Sequence, residues 1–113
     1  MVARALDAAK LLRERDGIAA RVVDMYSIKP LDRAAIVAAA RETRGIVTVE
    51  DHSVLGGLGG AVAEVVAEEA PCRVLRMGLN DVFGRSGTPA SLYEMFGLTP
   101  ECIAATVAEL AKR

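Results

Sequence analysis

Three stretches of the chain carry residue types able to do chemistry. The first is Glu50-Asp51-His52, which holds the only histidine. A carboxylate beside an imidazole makes an acid–base pair when both reach one substrate. Successive side chains of an extended chain point to opposite faces, so only Glu50 and His52 share a side. No second histidine exists to complete a metal site. A polar interface, or a hydrogen-bond network that fixes a loop, is the simpler use of this cluster. The second stretch is Gly56-Gly57-Leu58-Gly59-Gly60. Backbone amides at a helix N-terminus bind phosphates. Counted from Gly57, however, the last glycine of G-x-G-x-x-G is replaced by Val62, and the Gly-Lys-Ser/Thr ending of a phosphate-binding loop is missing. The simpler reading is structural: the glycines let a helix approach the sheet or a neighbouring domain. The third stretch is Gly84-Arg85-Ser86-Gly87-Thr88-Pro89. Arg85 and Ser86 precede a helix start and offer contacts to an anion. The spacing is not that of the G-x-S-x-G nucleophile elbow, because the second glycine comes one residue early. A structured loop is the default. The candidate interface or anion-binding residues are therefore Glu50, His52, Gly56, Gly57, Gly59, Arg85 and Ser86. Lys29-Pro30-Leu31-Asp32 reads as a turn followed by a helix cap.

The elements that position these residues follow from apolar spacing and from turn chemistry. Apolar residues at Val2, Ala5, Leu6, Ala9 and Leu12 predict a helix to about Glu14, stopped by Gly17. Residues 18–25 read as a strand. Pro30 keeps Lys29 extended, and Asp32 caps a helix from Arg33 to about Thr43, with Ile36, Ala39 and Ala40 inward. Ile46-Val47-Thr48-Val49 is nearly continuous apolar sequence, the mark of a parallel strand covered on both faces. Its C-terminal end carries Glu50 and His52, at the side of an open α/β sheet where ligands bind. A helix then runs to about Glu69 on a stripe of Leu58, Ala61, Val62, Val65 and Val66, and Pro71 breaks it. Residues 72–77 form a further strand, whose two arginines suit a position near an edge. After a long loop, Thr88-Pro89 and Thr99-Pro100 each cap a helix. The first stops at Gly97. The second runs to about Lys112, with Ile103, Val107 and Leu110 on one face.

The order α-β-α-β-α-β-α-α implies a parallel, doubly wound sheet with right-handed crossovers. Such domains normally open with a strand, so the reading expects one upstream of Met1 that this sequence lacks. At 113 residues the chain fits one domain that buries roughly 60–70% of its unfolded surface. The 52% apolar content is rich in alanine and the aromatic share is 4%, which suits helices packed on a sheet. Net charge is −1, without a basic run, which argues against a nucleic-acid partner. No stretch approaches the roughly 18 apolar residues that span a bilayer, and charges interrupt the start too early for a signal peptide. A cytoplasmic protein is the expectation. Cys72 and Cys102 lack C-x-x-C spacing and read as reduced core thiols.

Taken together, several segments resemble the transketolase C-terminal domain. Asp24-Met25-Tyr26-Ser27-Ile28-Lys29-Pro30-Leu31-Asp32 is similar to its D-M-x-x-I-K-P-L-D segment. Residues 46–53 with Gly56-Gly57-Leu58-Gly59 are similar to its V-T-V-E-x-H-S-x-x-G-G-L-G segment. Asn80-Asp81-Val82-Phe83-Gly84-Arg85-Ser86-Gly87 is similar to its D-x-F-G-x-S-G loop. The likeness runs in order along nearly the whole chain. It is nearest to the split bacterial and archaeal transketolases, with looser versions in 2-oxo-acid dehydrogenase β-subunits and deoxyxylulose-phosphate synthases.

The resemblance implies a three-layer α/β/α domain on a five-stranded, mostly parallel sheet, with residues 1–113 expected to be a fragment of a longer chain. One family strand, inside that sheet, is expected upstream of Met1. It also implies a non-catalytic structural and dimerisation domain, not active alone but part of an enzyme that moves a two-carbon ketol unit between sugar phosphates. Thiamine diphosphate and magnesium belong to the complete enzyme, held by its pyrimidine-binding and diphosphate-binding domains, which are the implied partners in a homo-oligomer. The resemblance assigns no catalytic, cofactor or metal residue to this chain. The alternative is a stand-alone anion- or nucleotide-binding α/β module built on the glycine turn and the Arg85 loop.

Overall fold

Local signals set where the helices begin and end. The computed structural model describes residues 1–25, 31–53, 57–79 and 97–112. Helix α1 spans Val2–Asp16 and ends at Gly17, whose φ of 65° lies in the left-handed region that a residue without Cβ enters at little cost. Helix α2 spans Arg33–Glu42, and the Asp32 carboxylate accepts the Ala35 amide at 3.0 Å. Helix α3 spans Leu58–Glu69. Helix α4 spans Pro100–Ala111; the Thr99 hydroxyl accepts the Cys102 amide at 3.2 Å, and proline occupies the first turn. Both side-chain caps lie where the sequence places them. The predicted cap at Thr88 lies outside the described residues.

Strands β1, Gly45–Ser53, and β2, Arg73–Leu79, pair in parallel, with Gly45 opposite Arg73 and Val49 opposite Met77. Side chains alternate across the sheet with period two. Ile46 and Val74 pack against a core of Ile36, Ala40, Val62, Val65, Val66 and Ala70 from the α2–α3 side. Val49 and Met77 pack against Ala8, Leu12, Ile103 and Ala104 of α1 and α4. The sheet is thus covered on both faces, giving the α/β/α layering expected of a doubly wound domain.

Three expectations need correcting. Residues 18–25 form no strand. Their burial still alternates: Ile18, Ala20 and Val22 are half-buried, whereas Ala19, Arg21 and Val23 are exposed. A strand is defined by its ladder, and among the described residues the sheet order is β1-β2 alone, so this segment has the side-chain pattern without a ladder partner among them. The stripe on α1 is also displaced. Ala8 and Leu12 are each 1% exposed, whereas Val2 and Leu6 are 39% and 55% exposed. Helix α1 rests mainly on α4, and one helix against another buries a narrower stripe than a helix lying flat on a sheet. Finally, Cys102 is not a core thiol: it is exposed, and only Cys72 is partly covered.

The corrected α1 face sets an expected outcome. Leu12→Ala should cost about 2–5 kcal/mol, and Leu6→Ala should stay within about 0.5 kcal/mol. Urea unfolding of both variants measures the difference, and equal costs would contradict the packing of α1 on α4.

Candidate functional site

Glu50 follows Thr48 on the face of β1 that looks toward α3. It is 6% exposed, and a carboxylate taken from water needs compensating partners. The N-terminus of α3 supplies them. The Leu58 amide donates to Oε2 at 2.8 Å, and the Gly59 amide donates to Oε1 at 3.1 Å. The first four amides of a helix have no intrahelical acceptor, and the helix dipole places partial positive charge there. The N-cap residue is Gly57, which brings no side chain, and the first turn of α3 has no acidic residue. The charge that completes the helix start therefore comes from β1, eight and nine residues away in sequence. Hydrogen bonds to an ionised acceptor are the stronger kind.

This close approach explains two glycines. A Cβ on Gly57 would collide with the Glu50 carboxylate, with the carboxyl carbon at 2.9 Å. A Cβ on Gly59 would meet Cγ of Arg76 at 2.7 Å and Oγ1 of Thr48 at 2.8 Å. Thr48 and Arg76 are partners in the β1–β2 register, so Gly59 sits directly over a cross-strand pair. Gly60 is different: nothing lies within 4 Å of the Cβ it lacks. Thr48 is 5% exposed, and its hydroxyl has no hydrogen-bond partner among the described residues.

Of the residues singled out from sequence, the structure brings together Glu50, Gly57 and Gly59. His52 lies on β1 two positions beyond Glu50, and its side chain lies outside the described part of the structure. Gly56, Arg85 and Ser86 also lie outside it, as does Lys29. Sequence reasoning missed the amides that receive Glu50 and the Thr48–Arg76 floor under Gly59. The alternation of Thr48 and Glu50 on one strand face was the available signal.

Chemically, the Glu50 carboxylate is already engaged by two amides. It fills the position at the start of α3 where a phosphate would otherwise bind, and its charge repels a second anion there. Among the described residues, no group of three or more His, Cys, Asp or Glu side chains is arranged to hold a metal ion. An open groove of about 540 Å³ runs along the outer side of α2, lined by Arg33, Ala34, Val37, Ala38, Arg41, Glu42 and Glu69. It shares no residue with the Glu50 site. Arg33 there binds Glu69 and Glu68 at 2.8 and 3.1 Å, and these partners raise its pKa further. Such exposed pairs add little to stability.

The cysteines differ in environment. Burial pushes the Cys72 thiol above its ordinary range, which lowers its thiolate fraction near neutral pH.

The layering and register define the class: a doubly wound, three-layer α/β domain with a carboxylate-anchored glycine turn. The family model for the transketolase C-terminal domain matches residues 1–103, and the chain belongs to that family. It is 47% identical over 113 residues to a Methanocaldococcus jannaschii protein named as a transketolase C-terminal section, covering 99% of this chain and 34% of that protein. It is 42% identical to a 6-deoxy-6-sulfo-D-fructose transketolase subunit from Clostridium sp. (strain MSTE9), covering 100% of this chain and 35% of that subunit. Among solved structures, a split-gene transketolase in the form of an inactive beta4 tetramer superposes with a TM-score of 0.91 at 55% identity, over 98% of this chain and 36% of that one. The chain thus spans about a third of the length of these relatives.

Two outcomes are expected here. Gly59→Ala should destabilise by about 1–3 kcal/mol through overpacking, whereas Gly60→Ala, in the first turn with open space at the missing Cβ, should stabilise by about 0.4–1 kcal/mol by restricting the unfolded chain. Thermal melts distinguish them, and the same sign for both would contradict the close approach at Gly59. A thiol-specific reagent near neutral pH should modify Cys102 before Cys72; the reverse order, seen by peptide mapping, would contradict their burial.

Proposed function

We propose that this chain is the structural and dimerisation domain of a thiamine-diphosphate-dependent transketolase, and that it holds no cofactor itself. In the assembled enzyme, a two-carbon ketol unit moves between sugar phosphates, a step of pentose phosphate metabolism. The observation that carries this reading is the Glu50 carboxylate on the α3 amides. A diphosphate bound at the start of α3 would require those donors, and it would face a buried negative charge instead. The described residues there therefore do not fit the diphosphate. Thiamine diphosphate supplies the carbanion chemistry wherever it is bound.

Relatives about three times as long support a chain that works with further domains, here the pyrimidine-binding and diphosphate-binding domains. The tetrameric state of the split-gene relative supports a homo-oligomer. In this reading the residues at the end of β1 and the glycine turn serve an interface: His52, Gly56 and Gly57 with the Arg85–Ser86 loop toward the partner domain, and buried Glu50 and Gly59 bracing the helix behind them. In this reading the assembled enzyme works in the cytoplasm.

Calorimetry of the chain with thiamine diphosphate and Mg²⁺ should show no binding. The enzyme that joins this domain to the cofactor-binding domains should show ketol-transfer activity that the 113-residue domain lacks. Tight, metal-dependent cofactor binding by the chain alone would overturn the reading.

A further inference from the structure

We draw no further inference here: the strongest candidate, the exposed apolar face that Val2 and Leu6 form on α1, carries nothing because nothing in the structure shows what covers it.

Discussion

A buried carboxylate on two backbone amides constrains everything around it. Glu50 sits in low-dielectric surroundings, where an unpaired charge is costly and a well-placed hydrogen bond is strong. The geometry that satisfies it leaves little freedom. Helix α3 must begin where its first amides meet the end of β1, which fixes the helix along the strand. That placement brings Gly59 onto the Thr48–Arg76 pair. The packing of Val62, Val65 and Val66 then follows one and two turns along the helix, because helix rise and twist are fixed. The valine core and the polar anchor are thus two ends of one rigid element.

The start of β1 carries an anchor of the opposite sign. Arg44, just before the strand, donates to the Ala111 carbonyl at the end of α4 at 2.7 Å. A cation meets the negative pole of one helix, and six residues after Arg44 an anion, Glu50, meets the positive pole of another. Each charge is set where the helix dipole favours it. The two helices lie on opposite faces of the sheet, so β1 is tied to both layers by charge as well as by apolar packing. Apolar contacts alone tolerate sliding along a strand. These directional bonds do not, and they set the register that the apolar contacts reinforce.

Legibility from sequence followed the range of each interaction. Asp32, Thr99 and Gly17 act on amides or carbonyls within a turn, and their roles were readable from neighbouring residues alone. The covered strand at 46–49 was readable from its β-branched run, and residues 72–77 as a further strand between helix breakers. Residues 18–25 have a strand's alternation, but a strand needs a neighbour, which no local pattern reports. The α1 face was misplaced because Val2, Leu6 and Leu12 are equally apolar, and only the position of α4 decides which of them is covered. Glu50 was visible as a candidate and as a possible loop-fixing group, yet its partners were not. A carboxylate eight residues from a helix start has no local signature. The glycines around it carried half of the message, since their spacing failed the nucleotide-binding pattern while still demanding close approach.

That failure of pattern has a physical meaning. A glycine-rich turn that opens a helix offers bare amides and a positive pole, and a diphosphate can occupy them. Here the same features are present, but the chain places its own anion on them. A tethered carboxylate competes at high effective concentration against any diffusing phosphate, and its burial keeps solvent from displacing it. The chemistry of the turn is thereby turned inward, from binding a ligand to fixing a backbone. Whether a glycine turn binds or braces depends on the residue at the end of the preceding strand. An aliphatic side chain there would leave the amides vacant for a ligand, whereas glutamate at position 50 closes them.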